Sequence, residues 1–189
     1  MSSDPKKVVV LLAEGFEEVE ATTPIDFLRR AGLEVQILGV GVGPDRIVKG
    51  SRGIDIRAEL SLEAFRETPD CVVLPGGLAG AENLQKSEAA RVLVQRVHEA
   101  GGVIGAICAA PGVVLGSWDM LQGQDFTCYP GFESRVPQGR HSENRVVTSG
   151  QFVTSRAAGT AAEFAIELIR VLAGQDAADK VRTSTLQAF

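Results

Sequence analysis

The stretch Gly101-Gly102-Val103-Ile104-Gly105-Ala106-Ile107-Cys108-Ala109-Ala110-Pro111-Gly112 decides how this chain of 189 residues is read. Val103, Ile104 and Ile107 are strand formers set among small residues, so the segment predicts a short buried strand. The strand ends at Cys108, where a tight turn leads into a helix over Pro111 to Gly116. Ala106, Ala109 and Ala110 crowd the cysteine with nothing larger than a methyl group. Such neighbours let the backbone bend sharply and present one side chain at the mouth of a sheet, which is the logic of a nucleophile elbow. A thiol at a helix N-terminus also feels the positive end of the dipole, which predicts a lowered thiol pKa. A free cysteine is equally a small buried hydrophobe, and this stretch alone does not separate the two readings.

Working outward, Lys7 to Ala13 (KVVVLLA) is continuously apolar, as a strand covered on both faces is. Glu17 to Ala31 reads as a helix closed by Gly32, with Pro24 expected to bend it or displace its hydrogen bonding. At about 100° per residue, Glu20 falls on the apolar stripe with Phe27 and Ala31, while Glu18 faces the opposite way, to solvent, and Glu17 lies at the edge. A carboxylate on an apolar stripe must be neutralised or paired. First-turn acids that complement the helix dipole are the plain alternative, and they explain Glu17 and Glu18 better than Glu20.

Further strands are expected at Leu33 to Val40 and Cys71 to Leu74, with an edge hairpin over Ile47 to Ala58. Ser61 to Glu67 reads as a short helix with Ser61 as its candidate N-cap. The Cys71 strand stops at Pro75-Gly76-Gly77. That places free backbone N–H groups at the C-terminal edge of a sheet, where ligands bind in open α/β folds; a Gly-Gly pair is also an ordinary turn. One amphipathic helix is expected over Asn83 to Ala100 and a short strand over Phe126 to Pro130. A hairpin follows around Ser149-Gly150, then a helix over Thr160 to Ala173 and a short one in the tail. Alternating strands and helices predict one doubly wound α/β domain with a mostly parallel sheet. Right-handed crossovers then bring Gly15, Gly76-Gly77 and Cys108 to one edge.

A net charge of −5 argues against a nucleic-acid surface. The apolar run Val8 to Ala13 is too short to span a bilayer, and the polar stretch Met1 to Lys7 lacks a secretory signal. The three cysteines have unrelated spacings and suggest neither disulfides nor a zinc site. With only His98 and His141 as histidines, no metal or other cofactor is expected. The lack of a disulfide framework makes a reducing, intracellular setting the expectation, with the cytoplasm as the compartment.

Five segments in order are similar to one known family: AEGFEEVEA (Ala13 to Ala21), VVLPGG (Val72 to Gly77), IGAICAAP (Ile104 to Pro111), SENRVV (Ser142 to Val147) and TSRAAGTAAEFA (Thr154 to Ala165). Together they resemble the ThiJ/PfpI superfamily, and within it the Parkinson disease protein seven subgroup, over essentially the whole chain. The resemblance implies a flavodoxin-like three-layer sandwich, a homodimer, and a location in cytoplasm, nucleus or mitochondrion. It implies a reactive Cys108 partnered by a protonated Glu20, with the N–H groups of Gly77 and Ala109 as an oxyanion pocket. Arg30 and Arg52 match family arginines near the site, where dimer contacts help bind anions, with Gly76 and Tyr129 beside them. The implied activity is glutathione-independent conversion of methylglyoxal or glyoxal to hydroxy acids, or deglycation, together with oxidative-stress sensing through the cysteine.

Two departures stand out. Tyr129 occupies the place of a histidine found in many members, and Ala157-Ala158 stands where Gly-Pro is common. The first counts against a PfpI-type peptidase, because an amide leaving group needs a general acid. A redox sensor or chaperone-like protein with little turnover is the stronger rival, since low-pKa thiols oxidise first. An inert binding module is the remaining one.

Overall fold

The computed structural model describes residues 5–189; the first four residues of the polar Met1 to Lys7 stretch lie outside it. The chain runs β1 (Lys7–Leu12), α1 (Glu18–Arg30), β2 (Glu34–Gly39), β3 (Ile47–Val48), β4 (Ile56–Arg57), β5 (Leu60–Ser61), β6 (Cys71–Leu74), α2 (Leu78–Lys86), α3 (Glu88–Glu99) and β7 (Val103–Ile107). It continues with β8 (Asp125–Phe126), β9 (Arg140–His141), β10 (Val146–Ser149), β11 (Phe152–Ser155), α4 (Ala161–Ala173) and α5 (Gln175–Ser184). The main sheet has the order β10-β11-β7-β6-β1-β2-β5. All neighbours are parallel except the hairpin β10-β11. β3 and β4 do make a hairpin over this region, but as a two-stranded sheet of their own rather than at an edge of the main sheet.

Period-two alternation explains the three layers. In β1, Val8, Val10 and Leu12 face one way, into a core shared with α1, α4 and α5. Val9 and Leu11 face the other way, against α2, α3 and the segment 109–121. Both faces are covered, so the strand reads as uninterrupted apolar sequence. Gly105 in β7 is tied to this packing, because a Cβ there would lie 3.0 Å from Phe164 and 3.1 Å from Leu168.

Three local expectations are corrected. The helix expected over Asn83 to Ala100 is two helices that break at Ser87. That residue is extended at ψ 110 and its hydroxyl accepts from the Ala90 N–H at 3.2 Å. A serine that offers the backbone a competing acceptor favours such a cap over a helix interior. The strand expected over Phe126 to Pro130 ends at Phe126. Beyond it the chain turns away to hydrogen-bond elsewhere, the Tyr129 N–H donating to the Cys108 carbonyl at 2.8 Å. The Ser61 helix is a single 3₁₀ turn, Leu62–Ala64, with no side-chain cap. Pro24 does not stop α1. The carbonyl it deprives of an i+4 N–H is that of Glu20.

Candidate active site

The C-terminal ends of β1, β6, β7 and β11 meet at one edge of the sheet, and the site is built there. Cys108 follows β7 directly. Its backbone sits at φ +65, in the left-handed region, a conformation that costs a non-glycine residue about 1–3 kcal/mol. Two hydrogen bonds hold it: the Cys108 N–H donates to the Ser155 carbonyl at 2.9 Å, and the Cys108 carbonyl receives the Tyr129 N–H. The elbow expected from the small residues is therefore present. The helix after it is a five-residue π-helical turn, Pro111–Leu115, too short to supply a strong dipole.

Glu20 comes from the first turn of α1 and is 1% exposed. Its Oε2 accepts the Gly76 N–H at 2.9 Å, its carboxyl is hydrogen-bonded with the Cys108 thiol, and the Ala158 N–H also points to it. Gly76 has to be glycine for this to happen. A Cβ there would lie 2.6 Å from that of Cys108 and collide with the Glu20 carboxylate. Gly77, at φ +80, lets the backbone pass close over Phe16 and Glu17, the Glu17 N–H donating to the Gly76 carbonyl at 2.9 Å. The N–H groups of Gly77 and Ala109 both point at the Cys108 sulfur.

The electrostatics reverse one expectation. Burial pushes the Glu20 carboxyl up to about 7, helped by the charge of Glu17 and opposed by the hydrogen bonds just named. The Cys108 thiol is pushed up to about 12, first by burial, then by the adjacent Glu20 charge, with the Gly77 and Ala109 N–H groups pulling the other way. The predicted intrinsic lowering is not what the site provides. Two anions at this spacing in a buried place are mutually exclusive, so thiol and carboxyl titrate as a pair. A single proton held between the two groups relieves that repulsion.

Over the pair opens a cleft of about 450 Å³, lined by Glu17, Glu20, Arg52, Gly77, Leu78, Cys108, Ala109, Tyr129, Phe132, Ala157 and Ala158. Arg52 is thus at the site, largely exposed and 3.7 Å from the Glu17 carboxylate. Arg30 is not. It sits ten residues beyond Glu20, about 15 Å along the helix, paired with Asp26 at 2.5 Å. Tyr129 borders the cleft, 47% exposed, its ring edge-on to Phe132; among the described residues its hydroxyl has no hydrogen-bond partner.

Glu18 is a second correction. Instead of facing solvent it is 4% exposed. Burial alone would raise its pKa. The carboxyl nonetheless lies below the usual value, because N–H groups of Glu18 itself, Arg52 and Ile54 and the Ser51 hydroxyl donate to it. The Arg52 N–H is 2.6 Å away, the Ser51 hydroxyl 3.2 Å and the Ile54 N–H 3.3 Å. The helical wheel placed Glu18 correctly on α1. It could not show that the loop 50–54 folds over that face. Glu18 thereby fixes the loop that carries Arg52. Phe132 and the Ala158 N–H also escaped the sequence reading, because both lie in irregular segments without periodicity.

Fold and site together define a flavodoxin-like α/β protein with an elbow cysteine facing a buried carboxyl. A family model described as DJ-1/PfpI matches residues 6–171, and the chain belongs to that family. It is similar to the Parkinson disease protein 7 homolog of Danio rerio, 39% identical over 183 residues that cover 94% of this chain and 95% of the relative. It is also similar to the glutathione-independent glyoxalase DJR-1.2 of Caenorhabditis elegans, 30% identical over 93% of each. Among solved structures, oxidized Toxoplasma gondii DJ-1 superposes with a TM-score of 0.93 at 39% identity, covering 97% of this chain and all of that one. Drosophila melanogaster DJ-1beta gives a TM-score of 0.93 at 35% identity, over 98% of this chain and 100% of its own. No helix among the described residues is long and apolar enough to cross a membrane.

Proposed function

We propose that this chain is a glutathione-independent glyoxalase, hydrating methylglyoxal to lactate and glyoxal to glycolate through Cys108 and Glu20. The observation that carries the reading is the thiol–carboxyl pair under two backbone N–H groups, at the floor of an open cleft. Glu20 takes the thiol proton, and the sulfur adds to the aldehyde carbon. The resulting alkoxide lies where the Gly77 and Ala109 N–H groups converge, the arrangement that stabilises developing negative charge best. Glu20 returns its proton to the alkoxide to give the hemithioacetal. As a carboxylate it then takes the proton from the former aldehyde carbon and delivers it to the neighbouring carbonyl carbon, while the hydroxyl proton passes to the neighbouring oxygen, so that the hemithioacetal isomerises through an enediol to a thioester. A carboxyl near pH 7 is suited to both halves of that transfer. Water cleaves the thioester, returning the thiol and releasing the hydroxy acid. Arg52 at the rim is placed to attract the carboxylate product. Deglycation uses the same first addition to a carbonyl-derived carbon.

A homodimer in the cytoplasm suits this reading. Val19 on the outer face of α1 and Ile54 in the loop tied to it are exposed at 47% and 61%, and Arg30, on the same helix and paired with Asp26, would reach a site only across such an interface. Lactate formation from methylglyoxal by the wild type, lost in Cys108→Ser, tests the function. A wild type without turnover, whose Cys108 is oxidised by peroxide ahead of Cys71 and Cys128, would establish the redox-sensor reading instead.

A further inference from the structure

Behind the wall of the Cys108 cleft lies a second group of reactive side chains that the proposed reaction does not use. Cys128, Glu133 and His141 come from three separate segments: the turn after β8, the 3₁₀ turn Glu133–Arg135, and β9. The Cys128 sulfur, a Glu133 carboxylate oxygen and a His141 ring nitrogen all lie within 4.8 Å of one another. Sequence spacing singles out no such group.

Each member is held in place by contacts of its own. β9 pairs with β8 so that His141 is in register with Phe126, and the two rings are 5.5 Å apart. One Glu133 oxygen accepts the Gly131 N–H at 2.7 Å, and the carboxylate also receives the N–H of Glu133 itself, so both bonds orient it. Cys128 is fully buried next to Thr127, whose N–H is tied to the Thr154 hydroxyl at 3.0 Å. The three donors are thus presented by the fold before any ligand arrives. His141, exposed, and Glu133, half-buried, keep the freedom to close in.

The donor set selects the ligand. Thiolate, imidazole and carboxylate together suit a borderline divalent cation of the zinc type, whereas magnesium and calcium take oxygen donors. Around a tetrahedral zinc ion, neighbouring ligand atoms lie roughly 3.5 Å apart, so the donors need to draw in by about 1 Å. Two anionic ligands outweigh the nearby Arg156, which is partly engaged by the Glu143 carbonyl at 2.9 Å. We propose that Cys128, Glu133 and His141 bind one zinc-class divalent cation, with water as the fourth ligand, at a site separate from Cys108. The cation displaces the thiol proton to solvent, so affinity rises with pH. Tyr129 and Phe132 are chain neighbours of two of the ligands and line the cleft, so a bound cation stiffens that wall. The inference does not depend on the glyoxalase reading.

Calorimetry with zinc on the reduced full-length chain tests it, in the wild type, Cys108→Ser, His141→Gln and Glu133→Gln. One zinc per chain is expected in the wild type and in Cys108→Ser. His141→Gln and Glu133→Gln should each weaken binding by more than about tenfold, since even the supporting partners of metal ligands act on that scale. Cobalt(II) should give a thiolate charge-transfer band that persists in Cys108→Ser and vanishes in Cys128→Ser. His141 is exposed, so its variant keeps the test informative even if the buried Cys128→Ser misfolds. Loss of binding in Cys108→Ser, unchanged affinity in His141→Gln, or no zinc bound by the wild type would each overturn the proposal.

Discussion

Replacing Glu20 by glutamine should change how stability depends on pH, by an amount the structure fixes. The amide keeps the volume and can still accept the Gly76 N–H, but it cannot titrate. In the wild type the carboxyl rises from 4.5 in the unfolded chain to about 7 in the folded one. Between those values the folded protein holds a proton that the unfolded chain has released. The contribution of this proton to stability is therefore complete below pH 4.5 and is lost as the pH rises through about 7. At about 1.4 kcal/mol for each tenfold of proton affinity, the loss comes to about 3 kcal/mol. Glu20 is 1% exposed, so solvent screening takes little from that figure. Other carboxyls run the opposite way: Glu18, Asp70, Asp125, Glu133 and Glu167 are held below their usual values and stabilise the fold as the pH rises. They cancel in the difference between wild type and variant. Urea unfolding of both proteins from about pH 4.5 to about pH 8.5 measures that difference. The advantage of the wild type should fall by about 3 kcal/mol across the range, with most of the change complete near pH 7. A difference that stays flat to within about 1 kcal/mol would show that Glu20 titrates normally, and the proton shuttle would fall with it. Cys108→Ala should steepen the loss, because the thiol hydrogen bond it removes favours ionised Glu20.

Three further outcomes follow from the same geometry. Gly76→Ala should wedge Glu20 from Cys108 and cut methylglyoxal turnover by at least about a hundredfold, while overpacking costs about 1–3 kcal/mol by urea melt; wild-type turnover would mean the contact is not needed. Glu18→Gln should destabilise the protein by about 1–3 kcal/mol, as a buried acceptor of several donors does, and should raise KM more than it lowers kcat because the loop of Arg52 loosens; steady-state kinetics beside a thermal melt separate the two effects. Tyr129→Phe should change kcat less than about threefold, below the worth of one neutral hydrogen bond, and a loss of a hundredfold or more would make the phenol part of the chemistry.

Much of the architecture is written along the chain, because it rests on local patterning. Lys7–Leu12 and Cys71–Leu74 are apolar on both faces, and only a strand sandwiched between layers tolerates that. The elbow at Cys108 is legible for the same reason: Ala106, Ala109 and Ala110 crowd it with methyl groups, and few backbone paths need that. Glu20 is legible as a carboxylate on an apolar stripe. What the patterning could not carry is anything set by segments remote in sequence. Glu18 looks exposed on its own helix, and it is buried because the Gly50–Ile54 loop closes over it. The thiol looks activated by a helix terminus, yet burial and the Glu20 charge dominate, and both come from chain contributed elsewhere. Arg30 and Arg52 look alike as letters, but α1 carries one away from the cleft while the β3-β4 connection brings the other to its rim. Cys128, Glu133 and His141 share no spacing rule, and only the parallel pairing of β8 with β9 brings the last of them to the first. Local sequence determines the elements and their faces through short-range sterics and hydrophobic periodicity. The ionisation state of a buried group depends on every charge and donor that the completed fold places around it, and only the tertiary structure decides that.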